Sequence, residues 1–127
     1  MKHRYFYIDS ENVNAEAWVA HLAKLRSTDT VLVFYSNHSK SIPITMINNI
    51  KKSPCDIRLI ASTTGSPNAM DFVLCSVLGE YAYRCPKSKH VIISKDKGYN
   101  PVVIFWSGHK IDVDRIENIG SLLHNEC

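Results

Sequence analysis

Short apolar runs alternate along the chain with stretches whose apolar residues recur at helical spacing. Residues 5–8 (YFYI), 31–35 (VLVFY) and 91–93 (VII) are continuous apolar runs of strand length. Residues 57–60 and 111–113 are also predicted strands, but their apolar positions alternate with Asp56 and Arg58 in one and Lys110 and Asp112 in the other. Between the strands, residues 15–25 set Trp18, Val19, Leu22 and Leu25 on one helical face. Pro43, suited to a first helical position, opens a helix carrying Met46, Ile47 and Ile50. A long helix is predicted over 68–83, a short one over 101–106 and a last one over 115–124, and residues 63–67 form a loop.

Regular strand–helix alternation implies a parallel sheet with helices on both faces. Strands buried on both faces read as unbroken apolar runs, whereas an edge strand keeps polar residues. The third and fifth strands therefore belong at the edges. The expected architecture is a Rossmann-like three-layer α/β/α domain spanning 1–127, its five-stranded sheet in the order 3-2-1-4-5. In that order the chain reverses direction between strands 1 and 4, and ligands of open α/β sheets sit beyond the carboxyl ends of the strands at such a switch point. Asp9 follows strand 1 directly and Asp96 lies just past strand 4.

Asp71 is the third acid. Along the 68–83 helix, at 100° per residue, Ser76 and Glu80 fall about 140° and about 180° from Asp71, which shares its face with Leu74, Cys75 and Leu78. A carboxylate on an apolar face costs several kcal/mol unless a cation or hydrogen bonds compensate. Each acid also has a plainer reading: Asp71 completing a cap with Asn68, Asp9 ending a strand, Asp96 serving an ordinary turn. Three hard oxygen ligands without accompanying histidines suit Mg²⁺ or Mn²⁺. Such ions support displacement at a phosphodiester. Ser10, Glu11 and Asn12 extend the first acid's loop, and Ser94 is placed to hold phosphate or orient Asp96. Lys95 and Lys97 flank the site, and Lys40, Lys51 and Lys52 supply further charge for a nucleic-acid backbone.

Composition narrows the classes. At 127 residues and 45% apolar content the chain is of ordinary globular size and texture. The basic N-terminus is followed by an apolar run of only four residues before Asp9. A secretory core needs about 7–15, so a cytoplasmic protein with no membrane partner is expected. The four cysteines share no zinc spacing and are expected to be free thiols. A net charge of +3 permits a nucleic-acid partner without demanding one.

The runs Tyr7-Ile8-Asp9-Ser10-Glu11-Asn12, Asn68-Ala69-Met70-Asp71-Phe72 and Ile92-Ile93-Ser94-Lys95-Asp96-Lys97-Gly98-Tyr99 resemble the PIN-like nucleases, particularly their NYN branch. The resemblance covers most of the chain. It implies a metal-dependent endoribonuclease in which Asp9, Asp71 and Asp96 bind one or two Mg²⁺ or Mn²⁺ and the substrate is RNA, expected to be single-stranded. Asn12 matches an asparagine that follows the first aspartate in NYN domains. Many relatives carry a second acid where this chain has Gly98, so a fourth ligand is missing or comes from Glu11, Asp112 or Asp114. A domain that holds RNA or protein without cutting is the alternative, and a homodimer or another protein partner stays open. A haloacid dehalogenase-type phosphatase would need Asp-x-Asp where Asp9-Ser10-Glu11 stands. A receiver domain would need an aspartate where Ala61, Ser62 and Thr63 stand.

Overall fold

The computed structural model describes residues 2–62, 66 and 68–124. Its strands β1 (Arg4–Asp9), β2 (Asp29–Tyr35), β3 (Asp56–Ala61), β4 (Lys89–Ile93) and β5 (Val113–Ile116) pair in parallel in the order β3-β2-β1-β4-β5. The edge reading of strand texture holds: Arg58 and Leu59 of β3 and Asp114 of β5 are exposed, while β1 is almost wholly buried.

Alternation along the strands divides two cores. Phe6 and Ile8, with Val31, Val33, Val91 and Ile93, pack against the 15–25 segment and Ile119. Tyr7, Leu32, Phe34 and Ile92 face the other way, onto Met70, Leu74, Leu78 and Ala82 of α2 (Ala69–Arg84). α1 is Ile47–Lys51, α3 is Asn100–Gly108 and α4 is Ile119–His124. Val102, Val103 and Trp106 of α3 join the second core. Each fully buried aliphatic or aromatic side chain contributes roughly 1.5–3 kcal/mol, so the helices are held by their sheet-facing residues. Their outer faces stay apolar in places, with Phe72, Ile104 and Phe105 exposed.

Four predicted elements differ. Residues 15–25 form two 3-10 segments, Ala15–Ala17 and Val19–Lys24, in place of one α-helix. Trp18, buried between them, leaves helical geometry at φ −138° and ψ −48°. The helix expected after Pro43 begins as a 3-10 turn, Ile44–Met46, before α1. The fifth strand runs 113–116 instead of 111–113. Lys110 adopts a left-handed φ of 61°, and the N–H of Ile111 still bonds to the Trp106 carbonyl, so these residues finish α3. The last helix accordingly starts at 119, where the Asn118 side chain accepts the Gly120 N–H at 2.7 Å. Of the 63–67 loop only Ser66 lies within the described residues.

At the amino edge of the sheet, Arg4 grips Asp29 through two hydrogen bonds of 2.9 and 2.7 Å, with both side chains buried. Arg26 adds its backbone N–H at 2.7 Å. No helix among the described residues is long and apolar enough to cross a membrane. Cys55, Cys75 and Cys85 are free thiols, and Cys127 lies outside the described residues.

Candidate active site

Asp9 ends β1 in the same alternation as Tyr7, so it faces the α2 side of the sheet and is fully buried. Asp71 sits in the first turn of α2 and is half-buried. Both reach one hydroxyl. Tyr99, only 2% exposed, donates to Asp71 Oδ1 at 2.9 Å and lies 3.3 Å from Asp9 Oδ2. Asp9 Oδ2 also accepts from Asn12 Nδ2 at 2.7 Å and from Ser94 Oγ at 2.8 Å. Asp9 Oδ1, equally buried, has no hydrogen-bond partner among the described residues.

Ser94 links the third acid to the first. Its hydroxyl accepts the Asp96 N–H at 3.0 Å while donating to Asp9. Asp96 turns its own Oδ1 back onto the Gly98 N–H at 2.8 Å and caps the 3-10 turn Lys97–Tyr99. The expectation that Asp9, Asp71 and Asp96 come close enough to share an ion is therefore corrected. Among the described residues no three His, Cys, Asp or Glu side chains converge on one metal position. The Tyr99 hydroxyl stands between two of the acids, and the third is folded into a turn. They remain one electrostatic group. Burial first, then the negative charges of Asp9, Asp96 and Glu11, hold the Asp71 carboxyl above its ordinary range, against the lowering effect of the Tyr99 hydrogen bond. The Tyr99 phenol is raised too, first by burial and then by Asp9 and Asp71, which keeps it a donor.

The other predicted residues separate into two ends of the sheet. Glu11 stays at the carboxyl edge, its Oε2 accepting from the Ser36 hydroxyl. Asp112 and Asp114 do not reach the site. Asp112 precedes β5 at the opposite edge, 3.5 Å from Lys2 and 3.6 Å from Lys89, and Asp114 is 3.6 Å from Lys89. Lys51 and Lys52 also lie away, where α1 leads into the start of β3. Lys95 and Lys97 flank Asp96 in solvent. Lys40 is tied through its N–H to the Ser10 carbonyl at 2.8 Å. Lys40 and Ser10 border a cavity of about 500 Å³ lined by Trp18, Val33, Ile50 and Ile57, on the face away from Asp9. Asn68 takes the left-handed conformation at the α2 N-cap (φ 62°) and makes no side-chain capping hydrogen bond. The Asn68–Asp71 cap therefore gives way to the Tyr99 contact.

Two participants escaped sequence reasoning. Tyr99 stands in the strand 4 motif, but spacing gives no reason to turn its hydroxyl toward Asp9. Arg115, placed by the later onset of β5, donates to the Ser94 carbonyl at 3.0 Å and to Asn100 Oδ1 at 2.9 Å, bringing a guanidinium to the same edge.

A protein-family model described as a PIN domain matches residues 3–116, nearly the whole chain. This chain belongs to the PIN domain family. PIN domains are generally nucleases and typically use divalent metals, and the strand order is that of the PIN-like α/β fold. No curated protein and no solved structure matches the chain.

The chemistry of the donors suits such an ion, although no three of them converge among the described residues. The acids offer hard carboxylate oxygens, which Mg²⁺ and Mn²⁺ prefer. Asp9 Oδ1 is a buried anionic atom without a partner, and the mutual repulsion at Asp71 would be relieved by positive charge.

Proposed function

We propose that this PIN domain is a metal-dependent endoribonuclease, with Asp9 and Asp71 as its metal ligands and Asp96, capped onto Gly98, beside them. The observation that carries the reading is the state of Asp9: one oxygen fixed by Asn12 and Ser94 with the Tyr99 hydroxyl 3.3 Å away, the other buried and unpaired. A structural aspartate would be satisfied at both oxygens, since burying an unpaired polar atom costs about 1–3 kcal/mol.

A bound Mg²⁺ or Mn²⁺ would supply Lewis-acid polarisation of the phosphodiester and of the attacking water. The chain's own residues prepare the site. Asn12 and Ser94 fix the Asp9 carboxylate, and Ser94 couples it to the Asp96 backbone. Lys95 and Lys97 attract the RNA backbone at the edge where the acids lie, and Arg115 braces the end of β4 through the Ser94 carbonyl. Asp112 has no role here.

The test is incubation of the purified protein with a mixed RNA pool and Mn²⁺ beside an Asp9→Asn control. Cleavage should vanish in the control, and the fragments should carry 5′-phosphate and 3′-hydroxyl ends, because attack by water does not use the ribose 2′-hydroxyl. Ends bearing 2′,3′-cyclic phosphate would exclude this site. One observation favours a second reading, an RNA-holding domain that does not cut: Asp96 is engaged as a cap, and Gly98 stands where a further acid would be. RNA binding without cleavage in Mn²⁺ would select it.

A further inference from the structure

We propose that the Tyr99 hydroxyl is a resident placeholder for the cation, bridging Asp9 and Asp71 until a divalent ion displaces it and thereby setting the ion concentration at which the site fills. The inference rests on the reading of Asp9 and Asp71 as metal ligands and deepens it.

The geometry carries it. The Tyr99 side chain is anchored in the second core, and its hydroxyl is the group that reaches both carboxylates, at 2.9 and 3.3 Å. A phenol has a single proton to give, yet two anionic acceptors face it. That is a poor match for a structural hydrogen bond and a good one for a group standing in for positive charge. Asp9 provides the second, independent sign. Its Oδ2 is committed to Asn12, Ser94 and Tyr99, while Oδ1 lies buried and unpartnered. The hydroxyl thus covers part of the deficit at this pair and leaves part for an ion. Phenylalanine at position 99 would keep the packed ring and remove the placeholder alone.

The experiment compares wild type, Tyr99→Phe and Asp71→Asn, each as the whole 127-residue chain. Mn²⁺ binding is followed by the electron paramagnetic resonance signal of the free ion, and stability by thermal unfolding across a Mn²⁺ series. Without metal, Tyr99→Phe should melt below wild type, because two carboxylates then face each other unscreened. With rising Mn²⁺ the gap should close, and the variant should bind Mn²⁺ roughly tenfold more tightly, about one charge-assisted hydrogen bond no longer being broken per ion bound. Equal affinity with a constant melting gap would make Tyr99 a packing residue only and overturn the proposal, as would weaker binding in the variant. Asp71→Asn separates the two readings. If it abolishes binding seen in wild type, the metal reading stands whatever Tyr99→Phe does; if wild type takes up no Mn²⁺, both fall. Tyr99→Met, which fills the same space flexibly, gives the same comparison should the phenylalanine variant fail to fold.

Discussion

Ser94 Oγ donates to Asp9 Oδ2 at 2.8 Å and accepts the Asp96 N–H at 3.0 Å, so one hydroxyl ties the ends of the two central strands together. The tie is possible because β1 and β4 are adjacent, with Ile8 paired to Ile93. Ser94→Ala should remove a hydrogen bond to a buried carboxylate and cost about 1.5–3 kcal/mol by denaturant unfolding. It should also weaken metal-dependent cleavage by about 10–100-fold, the usual effect of losing a group that orients a ligand. Wild-type stability in this variant would mean that Asp9 finds another donor.

Asp71→Asn separates a site residue from a cap. Because burial and the surrounding acids raise the Asp71 carboxyl, the fold disfavours its ionised form. The sign follows: the favourable contribution is complete below the unfolded value of 3.8 and is lost as pH rises through the folded value. At neutral pH asparagine removes that penalty and keeps an oxygen for the Tyr99 hydroxyl. The melting temperature should hold or rise at pH 7, cleavage should disappear, and the advantage over wild type should shrink toward pH 4. A loss of about 0.5–2 kcal/mol at pH 7 would mark a cap instead.

Sheet order and the place of Asp9 were legible: polar residues in β3 and β5 mark the edges, and in that order Asp9 ends the strand at which the chain reverses direction. The details that escaped depend on tertiary contacts. Nothing local announces that Lys110 turns left-handed and delays β5, or that Trp18 interrupts a good helical sequence. Asp112 was misplaced for the same reason. Moved from inside a strand to the residue before one, it falls at the opposite edge. Asp96 kept its location, but its side chain went to the nearest backbone donor, which a turn sequence containing glycine always offers.

The Arg4–Asp29 pair is a test of the scaffold apart from the site. Burial alone would raise Asp29, but the Arg4 hydrogen bonds, the Arg26 backbone and both guanidinium charges together hold it below its ordinary value. Its contribution is therefore present above pH 3.8 and lost as pH falls through the lower folded value. Asp29→Asn leaves Arg4 buried without its counter-charge and should cost about 3–5 kcal/mol at neutral pH. The difference from wild type should narrow in strong acid, read by urea unfolding at pH 7 and pH 3. A constant difference would assign the loss to hydrogen-bond geometry alone.

Gly98 decides whether the missing acid can be restored. Its φ is not positive, so the backbone accepts a side chain; the obstacle is Asp96. A Cβ at position 98 would lie 2.9 Å from Asp96 Oδ1, the atom that accepts the Gly98 N–H. The carboxylate, at the end of a flexible side chain, must move off its cap. Gly98→Ala should cost up to about 0.5–2 kcal/mol, the range for a lost cap. Gly98→Asp should cost more without metal, because a new carboxylate is set beside a displaced one. The expected apo melting order is wild type, then Gly98→Ala, then Gly98→Asp. Added Mn²⁺ should raise Gly98→Asp most and close the gap between the variants, with Mn²⁺ acting at lower concentration than Mg²⁺ as their affinity order requires. If the gap persists at saturating Mn²⁺, the carboxylate at 98 does not face the ion, and Gly98 serves only to leave room for the Asp96 cap.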